Sequence, residues 1–343
     1  MYYCGIDIAN KSSAICVLDE SDKIIWEGSC LTDRDGFRRG LERFEGLPCV
    51  IEASPLSEWL AGALEDLGHK VTVIDPRKAK SIITSKRKTD KLDARNLARM
   101  CRTGWYSEVH RKSVDARLLR SYLKARKGLV DDQRGLSNRI RGLLRAHGIK
   151  VGVVSNGRFV EHVRDLVSLH EPGLVLVMEP LLQLWVQTRL LLKDVTKALT
   201  QLAKQDACCQ RLMSVPGVGP LVSSAYVATI DDPTRFRKGD QVGAYLGLVP
   251  SIQQSGETEY RGRITKEGDS LLRWLLVEAA HVLLTRVKGS CELRRWGLKL
   301  AKRKGMSKAK VAVARKLAKL LHHLWVTNQE FDPKGGLANG RIV

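Results

Sequence analysis

The first thirty residues restrict the fold more than any later stretch. "MYYCGIDIANKSSAICVLDESDKIIWEGS" alternates short β-rich runs with turn residues, and "SSAICVLD" is separated from "IIWEG" by the turn-forming "ESDK". That pattern predicts a three-strand meander. Beyond it, "DRDGFRRGLERFEG" has helical spacing and "LPCVIEA" is a short apolar strand. Ser54 and Pro55 form an N-cap and first-turn pair opening a helix through "LSEWLAGALEDLG", and "HKVTVID" supplies a fifth strand.

Three meander strands followed by helix, strand, helix, strand give a mixed five-stranded α/β sheet, the order found in ribonuclease-H-like folds. In that order the first and fourth strands are neighbours. The chain is too long for this unit alone, since 343 residues suggest two or three domains at about 150 residues each. From Asp115 to His147 it is helical and basic, and a second amphipathic run, "PLLQLWVQTRLLLKDVTKALTQLAKQ", follows a looser segment containing Pro172 and Gly173. Leucines at every third or fourth position in both predict an antiparallel helical pair or coiled coil, as a spacer, a dimerising arm or a nucleic-acid contact. The region after Cys208 is mainly helical, with a Gly-containing turn in "VPGVGP" and a cationic last helix, "AKRKGMSKAKVAVARKLAKLLHHLW". The expected division is 1–107 catalytic α/β domain, 108–206 helical region, 207–331 C-terminal domain and 332–343 flexible tail.

Charge points to the partner. The chain carries 58 Lys and Arg against 37 Asp and Glu, a net +21, and such an excess calls for a polyanion, nucleic acid first. The sequence reads as lacking both a bilayer-spanning apolar run and a signal pattern, which predicts a cytoplasmic protein with no membrane partner. Eight cysteines without a CxxC pair predict reduced thiols, not a zinc site.

Against this cationic background a few carboxylates stand out. In "KTDKLDARNLARM", Asp90 and Asp93 are three residues apart and share one face of a helix that Thr89 would cap. Acids in a first turn also meet the helix dipole favourably, which is their ordinary explanation. Asp7, however, sits in the first strand between Ile6 and Ile8, and Glu52 ends the "CVIE" strand. A carboxylate so placed is costly unless it is paired or binds a cation. Neighbouring first and fourth strands bring Asp7 and Glu52 together, with the following helix adding Asp90 and Asp93. Four hard oxygen donors at an open site suit Mg²⁺ or Mn²⁺.

The motifs "GIDIAN", "VIEAS", "KTDKLDARNLA", "VPGVGP", "LGLVPSIQQSG" and "RGRITKEGDSLLR" together closely resemble the DEDD transposases of bacterial insertion sequences, the insertion sequence 110 family. The resemblance spans nearly the whole chain, through a RuvC-like N-terminal domain and a C-terminal transposase domain. It implies that Asp7, Glu52, Asp90 and Asp93 hold the metal. It also implies a nucleophilic serine just before the glycine of "QQSG", which is Ser255. Relatives often carry a second serine just ahead of that position, where this chain has Gln254, so Ser251 and Ser255 are the nearby hydroxyls. By the same resemblance the enzyme cuts and rejoins double-stranded donor and target DNA through a 5'-phosphoserine, guided by a non-coding bridge RNA. The serine of one protomer would then meet the acids of another in a dimer or tetramer.

Other residues carry weaker signals. Gly217 and Gly219 lie in a turn resembling the hairpin of helix-hairpin-helix modules, whose backbone N–H groups cradle phosphate without reading bases. Arg261, Arg263 and Lys266 are suited to a scissile or flanking phosphate. His322 and His323 lack partners at metal-ligand spacing. Two other readings stay open on the residues alone: a resolvase-like nuclease that uses the acids with water and no serine, and a non-catalytic nucleic-acid-binding protein.

Overall fold

The computed structural model describes residues 1–75, 89–255 and 258–333. The tail expected from Gly335 onward lies outside the described residues. The chain forms two compact units, Met1–Lys112 and Ser113–Val343.

In the first unit the meander is β1 (Tyr3–Asp7), β2 (Ser12–Leu18) and β3 (Ile24–Leu31), followed by α1 (Arg34–Leu41), β4 (Pro48–Glu52), α2 (Ser57–Asp66) and β5 (Lys70–Ile74). The sheet order is β3-β2-β1-β4-β5. β1 and β2 are antiparallel, as are β2 and β3, whereas β4 runs parallel to both β1 and β5. The mixed five-stranded sheet and the neighbouring first and fourth strands are therefore as the sequence predicts, an arrangement compatible with the ribonuclease-H-like fold. "ESDK" forms the expected turn because one Asp19 oxygen accepts from the backbone N–H groups of Ser21 (2.9 Å) and Lys23 (3.0 Å).

Strand alternation divides the sheet into two faces. Cys4, Ile6, Ile15, Val17, Cys49 and Ile51 pack with Phe37, Leu41, Leu60 and Leu64 from α1 and α2. The opposite set, Ala14, Cys16, Leu18 and Val50, meets Ala94, Leu97 and Ala98 of α3 (Asp90–Thr103). Gly5 lies beneath this helix. A Cβ there would fall 2.1 Å from the Ala98 nitrogen and 2.2 Å from the Ala94 oxygen, so only glycine lets the helix lie so close.

One boundary differs from expectation. Ser54 accepts from the Leu56 N–H (3.3 Å), but helix α2 begins only at Ser57 and Leu56 is its N-cap, without a side-chain cap bond. The Ser57 hydroxyl and N–H both return to the Ser54 carbonyl, and this closes a separate tight turn before the helix starts.

The second unit opens with two long helices, α4 (Val114–Ala146) and, after α5 (Phe159–His170), α6 (Val175–Gln205). Arg126 on α4 donates to Thr196 on α6 (2.9 Å), and Trp185 on α6 donates to Ser137 on α4 (2.8 Å). Rising numbers on one helix meet falling numbers on the other, so the pair is antiparallel. Helix α5 replaces part of the expected loose segment. Its buried Phe159, Val163 and Val167 recur every four residues, but its N-cap has no side-chain bond and Pro172 follows its end. Helix α6 also starts before Pro180, which lies inside it. The bond Pro180 cannot donate would have gone to the carbonyl of Leu176, a residue 86% exposed, so the missing partner falls on the solvent side of the helix.

The absence of a bilayer-length apolar run is corrected by the same helix. Pro172–Gln205 is long and apolar enough to cross a membrane by length and composition. Pro180 splits the run when the sequence is read linearly. Its apolar residues divide between a buried stripe, Met178, Leu182 and Trp185, and exposed positions such as Leu184, Leu190 and Leu191.

The remaining helices are α7 (Ala207–Met213), α8 (Pro220–Ile230), α9 (Gly239–Tyr245), α10 (Ser270–Thr285), α11 (Glu292–Lys304) and α12 (Met306–Thr327). Between α9 and α10 stands a hairpin of β6 (Pro250–Ser255) and β7 (Thr258–Ile264). Helices α8, α10 and α12 share one core, in which the buried Tyr226 hydroxyl donates to the Ala318 carbonyl (2.7 Å). Leu123 of α4 and Leu199 of α6 belong to this core as well. The roots of the long helices and the C-terminal helices thus form one body.

Candidate active site

The register of the sheet decides where the strand acids go. Asp7 has the parity of Gly5 and Glu52 that of Val50, so both leave the sheet on the α3 face. β1 and β4 run side by side with Ile6 opposite Ile51, which places Asp7 and Glu52 as adjacent residues at the carboxyl ends of two parallel strands.

Helix polarity brings the other pair to the same end. Arg102 near the end of α3 donates to the Glu20 carbonyl (3.3 Å), Arg99 pairs with Asp22 (3.0 Å), and the Cys101 thiol meets the Pro48 carbonyl (3.2 Å). These partners lie at the β2–β3 turn and at the start of β4, which is the end remote from Asp7 and Glu52. The helix therefore runs antiparallel to β1 and β4, and its first turn lies over their carboxyl ends. Asp90 and Asp93 occupy that turn. By helical spacing they lie on the same side of α3 as the buried Ala94, Leu97 and Ala98, with Asp93 half-buried and Asp90 at the exposed start of the helix. Thr89 caps the helix as expected, its hydroxyl accepting from the Leu92 N–H (3.2 Å).

Asp7, Glu52 and Asp93 are half-buried and Asp90 is exposed. Asp7, Glu52 and Asp93 each have an interaction partner. Among the described residues, no three or more His, Cys, Asp or Glu side chains come close enough together to hold a metal ion. The fit lies in donor chemistry and placement: four carboxylates, one face, one end of the sheet, the set a hard divalent cation takes.

What pins the helix here was not foreseen. Arg95, Arg99 and Arg102 follow the acids along α3. Arg95 grips Glu27 on β3 with two bonds, one of 2.8 Å, and holds that carboxyl below the usual range, chiefly through the hydrogen bonding. The sequence signal was an arginine every three or four residues, visible only once β3 is known to lie alongside.

Ser255 is the last residue of β6, exposed at the hairpin tip, in register with Thr258. Ser251, the other nearby hydroxyl, is committed: its Oγ donates to the Arg263 carbonyl (3.1 Å), and a Cβ at Gly262 would fall 2.4 Å from that oxygen. Cross-strand pairing of Gln253 with Tyr260 and of Ile252 with Arg261 puts Ser255 on the face of Tyr260, which is 66% exposed. Arg261 and Arg263 leave the opposite face. They therefore suit a flanking phosphate better than the one facing Ser255. Tyr260 is the neighbour the sequence did not single out.

The root of the hairpin is fixed. Arg273 of α10 donates to the carbonyls of Leu246 (3.0 Å) and Glu267 (2.6 Å). Thr265 N–H reaches the Val249 carbonyl (2.9 Å), and Lys266 N–H the Gly247 carbonyl (3.1 Å), with Lys266 in the left-handed region at φ 58°.

"VPGVGP" joins α7 to α8. At Gly217 (φ 91°) a Cβ would lie 2.7 Å from the Ala279 carbonyl, so this glycine serves packing against α10. Gly219 is the N-cap of α8, with open space where a Cβ would be. His322, given no role, is buried with Nε2 3.0 Å from the Pro233 carbonyl. All eight cysteines are free thiols. Burial pushes Cys101, Cys208 and Cys209 up to about 12, which leaves them protonated and unreactive.

The mixed sheet is compatible with a ribonuclease-H-like DEDD domain, and comparison with known proteins defines the class as transposase. Residues 4–149 match the DEDD transposase model of the IS110 type, and residues 209–295 match the Transposase IS116/IS110/IS902 family. The chain is 31% identical over 332 residues to the transposase for insertion sequence element IS1111A of Coxiella burnetii, covering 95% of this chain and 90% of that protein. It is 30% identical to a probable family 20 transposase of Pseudomonas aeruginosa, covering 92% and 94%. A mini-circle putative transposase for IS117 of Streptomyces coelicolor is 22% identical over 98% and 96%. The chain belongs to the IS110 family of insertion-sequence transposases.

Proposed function

We propose that this transposase cuts and rejoins duplex DNA by transesterification, with Ser255 as nucleophile and Asp7, Glu52, Asp90 and Asp93 as holders of Mg²⁺ or Mn²⁺. The observation that carries the reading is the placement of all four acids on one face at the carboxyl ends of β1 and β4. Bound there, divalent cations would neutralise phosphate charge and stabilise the attacking and leaving oxygens of a displacement.

The chain's own residues supply the rest. The Ser255 oxygen forms a bond to phosphorus as the bond to the 3'-oxygen breaks. The serine proton is released, the 3'-oxygen gains one, and a 5'-phosphoserine remains. One phosphoester replaces another, so the reverse attack reseals the strand without ATP. Arg261, Arg263 and Lys266 hold flanking phosphate, and the backbone N–H groups after Gly217 and Gly219 offer a further contact. The family resemblance supports guidance by a bridge RNA, bound by shape and backbone, and a dimer or tetramer in which one protomer's serine meets another's acids. The antiparallel helices α4 and α6 serve as a coiled-coil arm in that assembly.

A second reading, a metal-dependent nuclease that uses water, draws on the fact that the acids belong to a single compact unit. Purified protein incubated with its element's flanking transcript, both DNA substrates and Mg²⁺ separates the two. A denaturant-resistant protein–DNA adduct mapping to Ser255, lost in Ser255→Ala, supports the recombinase. Cleavage that survives Ser255→Ala without any adduct supports the nuclease.

A further inference from the structure

Between Asp132 and Glu161 the chain has no acidic residue, while Arg134, Arg139, Arg141, Arg145, Lys150 and Arg158 all fall within that stretch. The stretch is the tip of the arm, where α4 ends and the chain turns toward α5. Here a cavity of about 430 Å³ is lined by Arg141, Arg145, Ile149, Lys150, Val151 and Gly152. Its three charged lining residues are all cations.

Part of the cavity wall is held in place by packing and hydrogen bonding. Ile149 and Val151, both buried, supply its apolar lining. Arg141 is fixed from two directions: it donates to the Gly152 carbonyl (2.6 Å), and its guanidinium lies 5.4 Å from the centre of the Phe159 ring. Arg145 is one turn further on, about 6 Å along the same helix face, and it is exposed, as is Lys150. A helix end normally presents negative carbonyls that would repel an anion. At this end the carbonyls of Leu144 and Arg145 are taken by the N–H groups of Ile149 and Gly148 (both 3.0 Å). The positive side chains therefore dominate the local field.

We propose that the arm tip is a docking cradle for the phosphodiester backbone of duplex DNA, with Arg145 and Lys150 contacting phosphates and Arg141 shaping the wall. The cavity is several times larger than a phosphate group and open, which suits a run of backbone and not an enclosed small anion. Duplex DNA is the committed occupant because the family to which the chain belongs transposes DNA. The proposal rests on that membership and is independent of the Ser255 chemistry.

The test measures binding of the full-length protein to a labelled duplex of arbitrary sequence, in EDTA so that no strand is cut, across a range of KCl. Arg145→Gln/Lys150→Gln is expected to weaken binding about tenfold or more at moderate salt, and to lower the slope of log affinity against log salt by about 1.8, from two phosphate contacts. Lys193→Gln/Lys197→Gln removes the same charge from exposed positions on α6 and is expected to leave the slope within about 0.5 of the parent. An unchanged slope in the first variant, an equal loss in the control, or a loss confined to an A-form RNA duplex of the same length each overturns the proposal. Ser255→Ala is expected to bind normally in EDTA, so failure of the cradle and failure of the serine mechanism give different results.

Discussion

The acidic corner and the serine hairpin are built on opposite principles. The corner is carried by the two central strands of a sheet packed on both faces, and the helix that completes it is held by Arg95, Arg99, Arg102 and the close approach over Gly5. The hairpin is two strands, solvated along most of β6 and clamped at its base by Arg273. The proposed metal site would need donors fixed to fractions of an ångström, which a sheet with a helix packed against it can supply. A nucleophile that becomes covalently attached to DNA has to meet a bulky duplex, and an exposed tip on a firm root allows this. On the proposed mechanism this difference would give rigidity to one half of the chemistry and access to the other.

The sharpest way to break that comparison is to remove one group from each half. Ser255→Ala and Asp93→Asn are each expected to reduce strand transfer by about 10³-fold or more, as for members of a catalytic unit. Their stability signatures should differ. Ser255 is exposed, so its alanine variant melts within about 0.5 kcal/mol of the parent. Mg²⁺ should raise the melting temperature of the parent and of Ser255→Ala, in proportion to the logarithm of its concentration, but not that of Asp90→Asn/Asp93→Asn. Equal stabilisation of all three by Mg²⁺ would show that the corner holds no ion.

Next in size is Gly5→Val. Its side chain would enter backbone atoms of Ala94 and Ala98, and overpacking of this kind costs about 1–3 kcal/mol. Displacement of α3 would carry Asp90 and Asp93 with it. Urea unfolding should show the loss, accompanied by loss of Mg²⁺ stabilisation. A destabilised variant that kept the full Mg²⁺ effect would separate the helix position from the acids.

Much of the corner was legible in the sequence. Alternation marked Asp7 as a charge in an apolar strand, the element order made β1 and β4 neighbours, and Thr89 marked the helix start. What the sequence could not give was the polarity of α3 across the sheet, because Arg99 and Asp22 are 77 residues apart and nothing local joins them. The hairpin was the reverse case. Ser-Gly is an ordinary turn pair, and only the family motif singled out Ser255. That Ser251 is tied to Arg263 and that Tyr260 shares the serine's face depend on a cross-strand register no single strand encodes. Helix α5 and the early start of α6 were hidden by Pro172, Gly173 and Pro180, which punctuate a sequence more strongly than they interrupt this backbone.

A smaller effect probes the hairpin root. Arg273→Met keeps the aliphatic stem and removes the bonds to the Leu246 and Glu267 carbonyls. Adduct formation is expected to slow by about tenfold, since displacing a reacting group by a fraction of an ångström costs of that order. Mg²⁺ stabilisation should be unchanged. If the adduct forms at the parent rate, the root does not position the serine.

The smallest expected effect is a pH dependence at the clamp of the corner. Arg95 lowers the folded-state affinity of Glu27 for a proton, so the clamp contributes fully at pH values above the unfolded-state range of a glutamate. It is lost as the pH falls through the depressed folded value. Glu27→Gln should therefore melt below the parent at neutral pH, and the gap should close as the solution is acidified through and below the ordinary carboxylate range. Arg95 is partly solvated, so added salt should shrink the neutral-pH gap as well. A gap that stays constant across the acid range would mean that Glu27 acts by packing and not by charge, and α3 would then owe its position to Gly5 and the two later arginines alone.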